Sequence, residues 1–103
     1  MTLEEIIYNS IPSGKDNAIH TIEIQKRTGS PERKIRKTIE ILRRKGMIIC
    51  SGANGYYLPE TEEELIQYIR TVKKTAKSSL YTLKTARHEL KRMQTAEQMK
   101  MQI

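Results

Sequence analysis

Apolar residues recur at helical spacing in four stretches of the chain, and between the third and fourth the period shortens to that of strands. Thr2-Leu3-Glu4-Glu5 has the form of a capping box, Thr at the cap and Glu three residues on. Leu3, Ile6 and Ile7 then share one face of a short helix, which Pro12-Ser13-Gly14 brings to an end near Ser10. Ala18-Ile19-His20 can form a minor strand. Thr21 is read as the cap of a second helix, with Glu23 in its positive first turn and Ile22 and Ile24 as its buried contacts. Gly29 stands where a C-cap glycine belongs. Ser30-Pro31-Glu32 opens a third helix, Ser as cap and Pro at the first position. Ile35, Thr38, Ile39 and Leu42 fall on one face of that helix, and Gly46 ends it.

Met47-Ile48-Ile49-Cys50 and Tyr56-Tyr57-Leu58 read as strands joined by Ser51-Gly52-Ala53-Asn54-Gly55, where Asn-Gly signals a hairpin because both residues accept positive φ. Tyr56 and Tyr57 alternate, so one is expected in the core and the other at the surface; Pro59 stops the run. Thr61-Glu62-Glu63-Glu64 is a second capping box. From there to about Gln98 neither Gly nor Pro occurs. One helix over that stretch would extend roughly 55 Å, too long for a small domain to cover. Its apolar positions Leu65, Ile69, Val72, Ala76, Leu83, Ala86, Leu90 and Met93 alternate in steps of four and three, the seam of a coiled coil. Ser79 completes the spacing and Leu80 lies just off it. Met99 to Ile103 are expected to fray.

Charge changes this picture more than composition does. The 103 residues carry a formal net charge of +7, which favours a polyanionic partner. Residues 26–45 hold nine Lys and Arg against Glu32 and Glu40, and residues 65–100 nine more against Glu89 and Glu97. On the third helix the face opposite the apolar one holds Arg33, Lys37, Glu40 and Arg44, with Arg36 and Arg43 on one flank and Lys34 on the other. Glu40 is expected to pair with Arg44 or Arg36. In the long helix Arg70, Lys77, Lys84 and Lys91 repeat along one flank, while the other is neutral and rich in hydroxyls. With five Tyr and no Phe or Trp, the core must be aliphatic.

The residues carry a resemblance to the winged helix-turn-helix superfamily. T-I-E-I-Q-K-R-T-G resembles its supporting helix and turn, S-P-E-R-K-I-R-K-T-I-E-I-L-R-R-K-G its recognition helix, and M-I-I-C-S-G-A-N-G-Y-Y-L-P its two-stranded wing. The chain is similar to compact winged-helix proteins of Gram-positive bacteria and their phages, and of bacterial transcription regulators more broadly. The fold implied is mainly α with a small β-hairpin: a winged helix-turn-helix DNA-binding domain over residues 1–60, followed by a long C-terminal helix over 61–103 that pairs as a coiled coil. The resemblance lays helix 31–45 in the major groove of double-stranded DNA. Mapped here, Thr21, Ser30, Arg33, Lys34, Arg36, Lys37, Arg44 and Asn54 are the candidate DNA-binding residues, and the eight seam residues from Leu65 to Met93 are the candidate dimerisation residues. The wing tip departs from the pattern, for it has no Lys or Arg.

The expected function is that of a small transcriptional regulator binding specific DNA as a homodimer. The alternative is a winged-helix adaptor binding proteins in phage replication or virion assembly. No nucleophile–base pair, phosphate-binding glycine loop or carboxylate pair suggests an enzyme, and no cofactor, metal or small-molecule ligand is expected. A lone Cys50 excludes an intrachain disulfide and a Cys-based metal site, and suits a small apolar strand residue. His20 and His88 lie far apart and read as ordinary surface histidines. No apolar run reaches the length of a signal peptide or membrane span, so a cytoplasmic location is expected.

Overall fold

The computed structural model describes residues 1–101, with side chains through Glu97. The chain divides into two units, Met1–Tyr68 and Ile69–Ile103. It is mainly helical, with one small antiparallel hairpin and a long C-terminal helix.

Helix α1 (Leu3–Ser10) is capped as its sequence predicts, the Glu5 amide donating to Thr2 Oγ1 at 3.2 Å. A single 3-10 turn at Lys15–Asn17 follows. The minor strand expected at Ala18–His20 is reduced to one bridge: Ile19 and Tyr56 exchange both backbone hydrogen bonds at 2.8 Å. Helix α2 (Thr21–Thr28) is capped by His20 rather than Thr21, the Ile22 amide donating to His20 Nδ1 at 3.3 Å. Held extended next to the Ile19 bridge, His20 is the last non-helical residue, and Thr21 already belongs to the first turn. Of the two isoleucines expected to be buried here, Ile24 is, whereas Ile22 is 53% exposed. Two residues apart on a helix they point about 200° away from each other, so one face cannot bury both.

Gly29 ends α2 in the left-handed region at φ 70°, its amide donating to the Gln25 carbonyl at 2.7 Å. Helix α3 (Glu32–Arg44) starts one residue later than expected. Pro31, with ψ 155°, occupies the cap position, and no side chain caps the helix. Ser30 is therefore not the cap; its amide donates to Thr28 Oγ1 at 3.2 Å. Ile35, Thr38, Ile39 and Leu42 are buried as their spacing predicts, against Ile7, Ile11, Ile19, Ile24 and Ile49. The Thr38 hydroxyl donates to the Lys34 carbonyl at 2.8 Å, so burying it leaves no polar atom unsatisfied.

The hairpin is shorter and later than its apolar run suggests. Strands β1 (Cys50–Gly52) and β2 (Gly55–Tyr57) pair antiparallel, Cys50 opposite Tyr57. Met47 and Ile48 lie outside the ladder and are exposed. The cause is the exit from α3: the Met47 amide donates back to the Leu42 carbonyl at 3.0 Å, which spends that residue on closing the helix. At the tip only Gly55 takes positive φ, at 115°; Asn54 does not, contrary to the expectation for an Asn-Gly pair. Tyr57 is buried, as expected of one of the two tyrosines; Tyr56, expected at the surface, is half-buried and packs against the core cluster. Cys50 is buried, and desolvation pushes its thiol pKa up, as suits an apolar packing residue.

Helix α4 (Glu62–Met101) begins in the first unit. Thr61 Oγ1 accepts the Glu64 amide at 3.2 Å. The Glu64 carboxylate in turn accepts the backbone N–H groups of Glu60 and Lys15, both at 2.9 Å. These bonds, that from Glu60 foremost, hold its pKa below the ordinary carboxylate value. The neighbouring stretch is tied by the Leu58 amide to the Pro12 carbonyl at 2.8 Å and the Gly14 amide to the Leu58 carbonyl at 2.9 Å.

The second unit is the remainder of α4. Every residue from Ile69 to Glu97 is exposed, including Ile69, Val72, Leu83, Leu90 and Met93 of the seam. On the hydroxyl flank Thr75, Thr82 and Thr85 each donate to the carbonyl four residues back at 3.1 Å. Of the segment expected to fray, residues 102 and 103 lie outside the described residues.

Candidate nucleic-acid interface

Burial of Ile35, Thr38, Ile39 and Leu42 leaves the opposite face of α3 in solvent. Arg33, Lys34, Arg36, Lys37 and Arg44 are all exposed. The structure sorts these cations into two kinds. Arg36 Nη2 donates to Glu32 Oε1 at 2.6 Å and Arg44 Nη2 to Glu40 Oε1 at 2.7 Å, both one helical turn back. Each pair is solvent-exposed and contributes about 0.3–0.5 kcal/mol at most, so a phosphate can exchange for the carboxylate at little cost. Arg33, Lys34 and Lys37 take part in no ion pair among the described residues. Glu40 thus pairs with Arg44, one of the two partners the sequence offered, and it interrupts the cationic face less than its position suggests.

Arg43, read from the sequence as a flank of this face, is withdrawn from it. Its Nε and Nη2 both donate to the Ile49 carbonyl, at 2.9 and 2.6 Å. It clamps the chain between helix and hairpin. Lys45 likewise faces α1, its Nζ 2.7 Å from Glu4 Oε2.

A shallow groove runs between the starts of α2 and α3 and the hairpin. It is lined by Thr21, Glu32, Arg36, Ser51, Gly52 and Ala53, among others. Thr21 and Arg36 therefore meet at one surface. Asn54 does not join them; it lines a separate hollow with Ala18, Ile19, Glu23 and Arg27. Ser30 is half-buried beside the turn. Ser51 and Ala53 escaped the sequence reading because nothing in an uncharged hairpin marks which side faces a helix. His20 carried a signal that could have been used: an imidazole just before a helical run has a ring nitrogen that can cap it.

Among the described residues, no group of three or more His, Cys, Asp and Glu is placed to hold a metal, and no helix is long and apolar enough to cross a membrane. Comparison with known proteins returns no match: no family model, no curated protein and no solved structure resembles the chain at a significant level.

Proposed function

We propose that this chain is a sequence-specific DNA-binding protein of the winged helix-turn-helix type, a small transcriptional regulator that binds as a dimer. The observation that carries the reading is the exposed face of α3. Arg33 and Lys37 stand there opposite the buried isoleucines that fix the helix, with Lys34 on their flank, and none of the three has a carboxylate partner among the described residues. Arg and Lys can donate to guanine N7 and O6 and to phosphates, so such a face suits the major groove. The order helix, helix, turn, cationic helix, hairpin supports the fold type, and the Ile19–Tyr56 bridge adds a third short strand position beside the hairpin. The exposed seam of α4 supports pairing of two chains. A dimer links two weak contacts into one stronger one.

The test is the double substitution Arg33→Glu with Lys37→Glu. Neither side chain contributes to the core, so the variant is expected to stay folded and to lose sequence-specific DNA binding. Continued preference for a specific sequence would remove α3 as the recognition element. The second reading is a protein-binding adaptor. It draws on the hairpin tip, where Ser51 to Asn54 are exposed and carry no cation to grip a backbone. Salt separates the two readings: a DNA binder loses affinity linearly on a log–log plot, and an adaptor shows little binding at physiological salt. Selection from a random DNA pool returning no enriched sequence favours the adaptor.

A further inference from the structure

Residues 69–97 hold eight Lys and Arg against Glu89 and Glu97, a formal charge of +6 in a chain whose total is +7. This charge is sided. At about 100° per residue, Arg70, Lys73, Lys77, Lys84 and Lys91 fall within a sector of roughly 60°. Lys74, Arg87 and Arg92 lie beside that sector; the flank across the helix carries no Lys or Arg and one carboxylate, Glu89, and its Thr75, Thr82 and Thr85 hydroxyls are satisfied by their own backbone. Among the described residues, Arg92 is the one basic side chain of this unit in an ion pair, with Glu89 at 2.6 Å.

A helix that needs only solubility places Glu one turn from Lys, each such pair adding about 0.2–0.5 kcal/mol. Here Arg70–Lys74, Lys73–Lys77 and Arg87–Lys91 are like-charge pairs four residues apart, which oppose the helix by similar amounts. The repulsion is relieved by a polyanion laid along the flank.

We propose that this flank is a second nucleic-acid surface, one that grips phosphates without reading sequence. Arg70, Lys77, Lys84 and Lys91 repeat at intervals of roughly 10 Å along a line of roughly 30 Å. A regular row of this kind matches the continuous charge of a phosphate backbone better than a folded acidic protein, whose carboxylates are scattered. An anionic membrane fits less well. Interfacial helices set Trp or Phe against the lipid, and this chain has neither. The row is also displaced from the Ile69–Val72–Leu83–Leu90 seam, so a second copy on the seam leaves it open. The inference shares its ligand class with the α3 reading but stands on different residues.

The test uses the full chain, a duplex of random sequence, and binding measured by anisotropy between about 50 and 200 mM salt. Replacing Arg70, Lys77, Lys84 and Lys91 by Gln removes charge from a helix that Gln favours; circular dichroism checks that helicity is kept. The log–log salt slope should become shallower by about 3 to 4, since each phosphate contact contributes about 0.9. Affinity should fall more than tenfold at the lower salt, equally for all sequences. Thr82→Gln with Thr85→Gln on the hydroxyl flank should change neither. An unchanged slope in the fourfold variant overturns the proposal. So does an unchanged slope combined with lost binding to phosphatidylserine vesicles, which assigns the flank to membranes. The two readings fail separately. If Arg33→Gln with Lys37→Gln leaves DNA binding intact while the fourfold variant weakens it, α3 is wrong and the flank stands; the reverse pattern keeps α3 and removes the flank.

Discussion

Replacing Gly55 by Ala should be among the most damaging single-methyl changes available to the first unit. Two effects add. Gly55 sits at φ 115°, a conformation that costs an L side chain about 1–2 kcal/mol. Its new Cβ would also fall on the Ile19 carbonyl and lie 2.9 Å from His20 Cα, all of it backbone that cannot rotate away. The hairpin must withdraw, and the two Ile19–Tyr56 hydrogen bonds, each about 1 kcal/mol net, go with it. The sum is about 3–4 kcal/mol, reduced by about 0.4–1 kcal/mol because Ala also restricts the unfolded chain. Two other glycines calibrate the argument. Gly29, at φ 70° with open space around it, should lose only about 1 kcal/mol. Gly52, whose Cβ would meet Tyr57 Cε1 at 3.8 Å, an ordinary contact, should change by less than about 0.5 kcal/mol. Urea unfolding followed through the methyl signals of Ile24 and Ile39 reports this unit rather than α4. With a slope of about 1 kcal/mol per molar, the midpoints should fall by about 3 M, 1 M and zero. A Gly55→Ala midpoint no lower than that of Gly29→Ala would refute the close packing of the hairpin on the Ile19–His20 segment.

Three other substitutions probe separate features. Arg43→Met strands the Ile49 carbonyl and should destabilise the fold by about 1–3 kcal/mol in urea, yet leave the DNA affinity of the folded protein unchanged; a loss of affinity with no loss of stability would return Arg43 to the interface. Glu64→Gln should flatten the acid limb of the stability curve. The folded pKa of Glu64 lies below its ordinary value of 4.5, so its contribution is full above that value and is lost as pH falls through the lowered one. A wild-type acid limb in the variant would show that the carboxylate grip does not act. Leu83→Lys with Leu90→Lys should convert a dimer into a monomer in sedimentation at high micromolar concentration; a monomeric wild type would end the pairing proposal.

The buried face of α3 was legible because four positions at helical spacing leave no other way to hide Ile35, Ile39 and Leu42. The caps of α1 and α4 were legible because a Thr just before an acidic first turn offers its hydroxyl to the amide three residues on. The caps of α2 and α3 were not. There, the extended conformations of His20 and Pro31 move each start by one residue, and the first depends on the Ile19–Tyr56 bridge, a pairing of residues far apart in sequence. Arg43 was misplaced for a related reason. Its position on the helix puts it beside the cationic face, but its acceptor is a backbone carbonyl six residues on, which no side-chain pattern reveals. The separation of Arg33 and Lys37 from the paired Arg36 and Arg44 was half legible: Glu40 had Arg44 or Arg36 within reach and takes Arg44, while Glu32–Arg36 went unread.

Glu64 sits 49 residues from the Lys15 amide it accepts, and in the same turn it accepts Glu60. A version of the first unit cut after Pro59 would keep the whole hairpin and every residue of the buried cluster, yet it would leave Lys15 without its acceptor and the segment Pro12–Lys15 held from one side only. A chain that keeps this tie therefore extends past the hairpin into the opening turns of α4. Anyone preparing the small unit alone for binding or spectroscopy should end it beyond Glu64, near Tyr68, and accept a helical stub as part of the domain rather than as its tether.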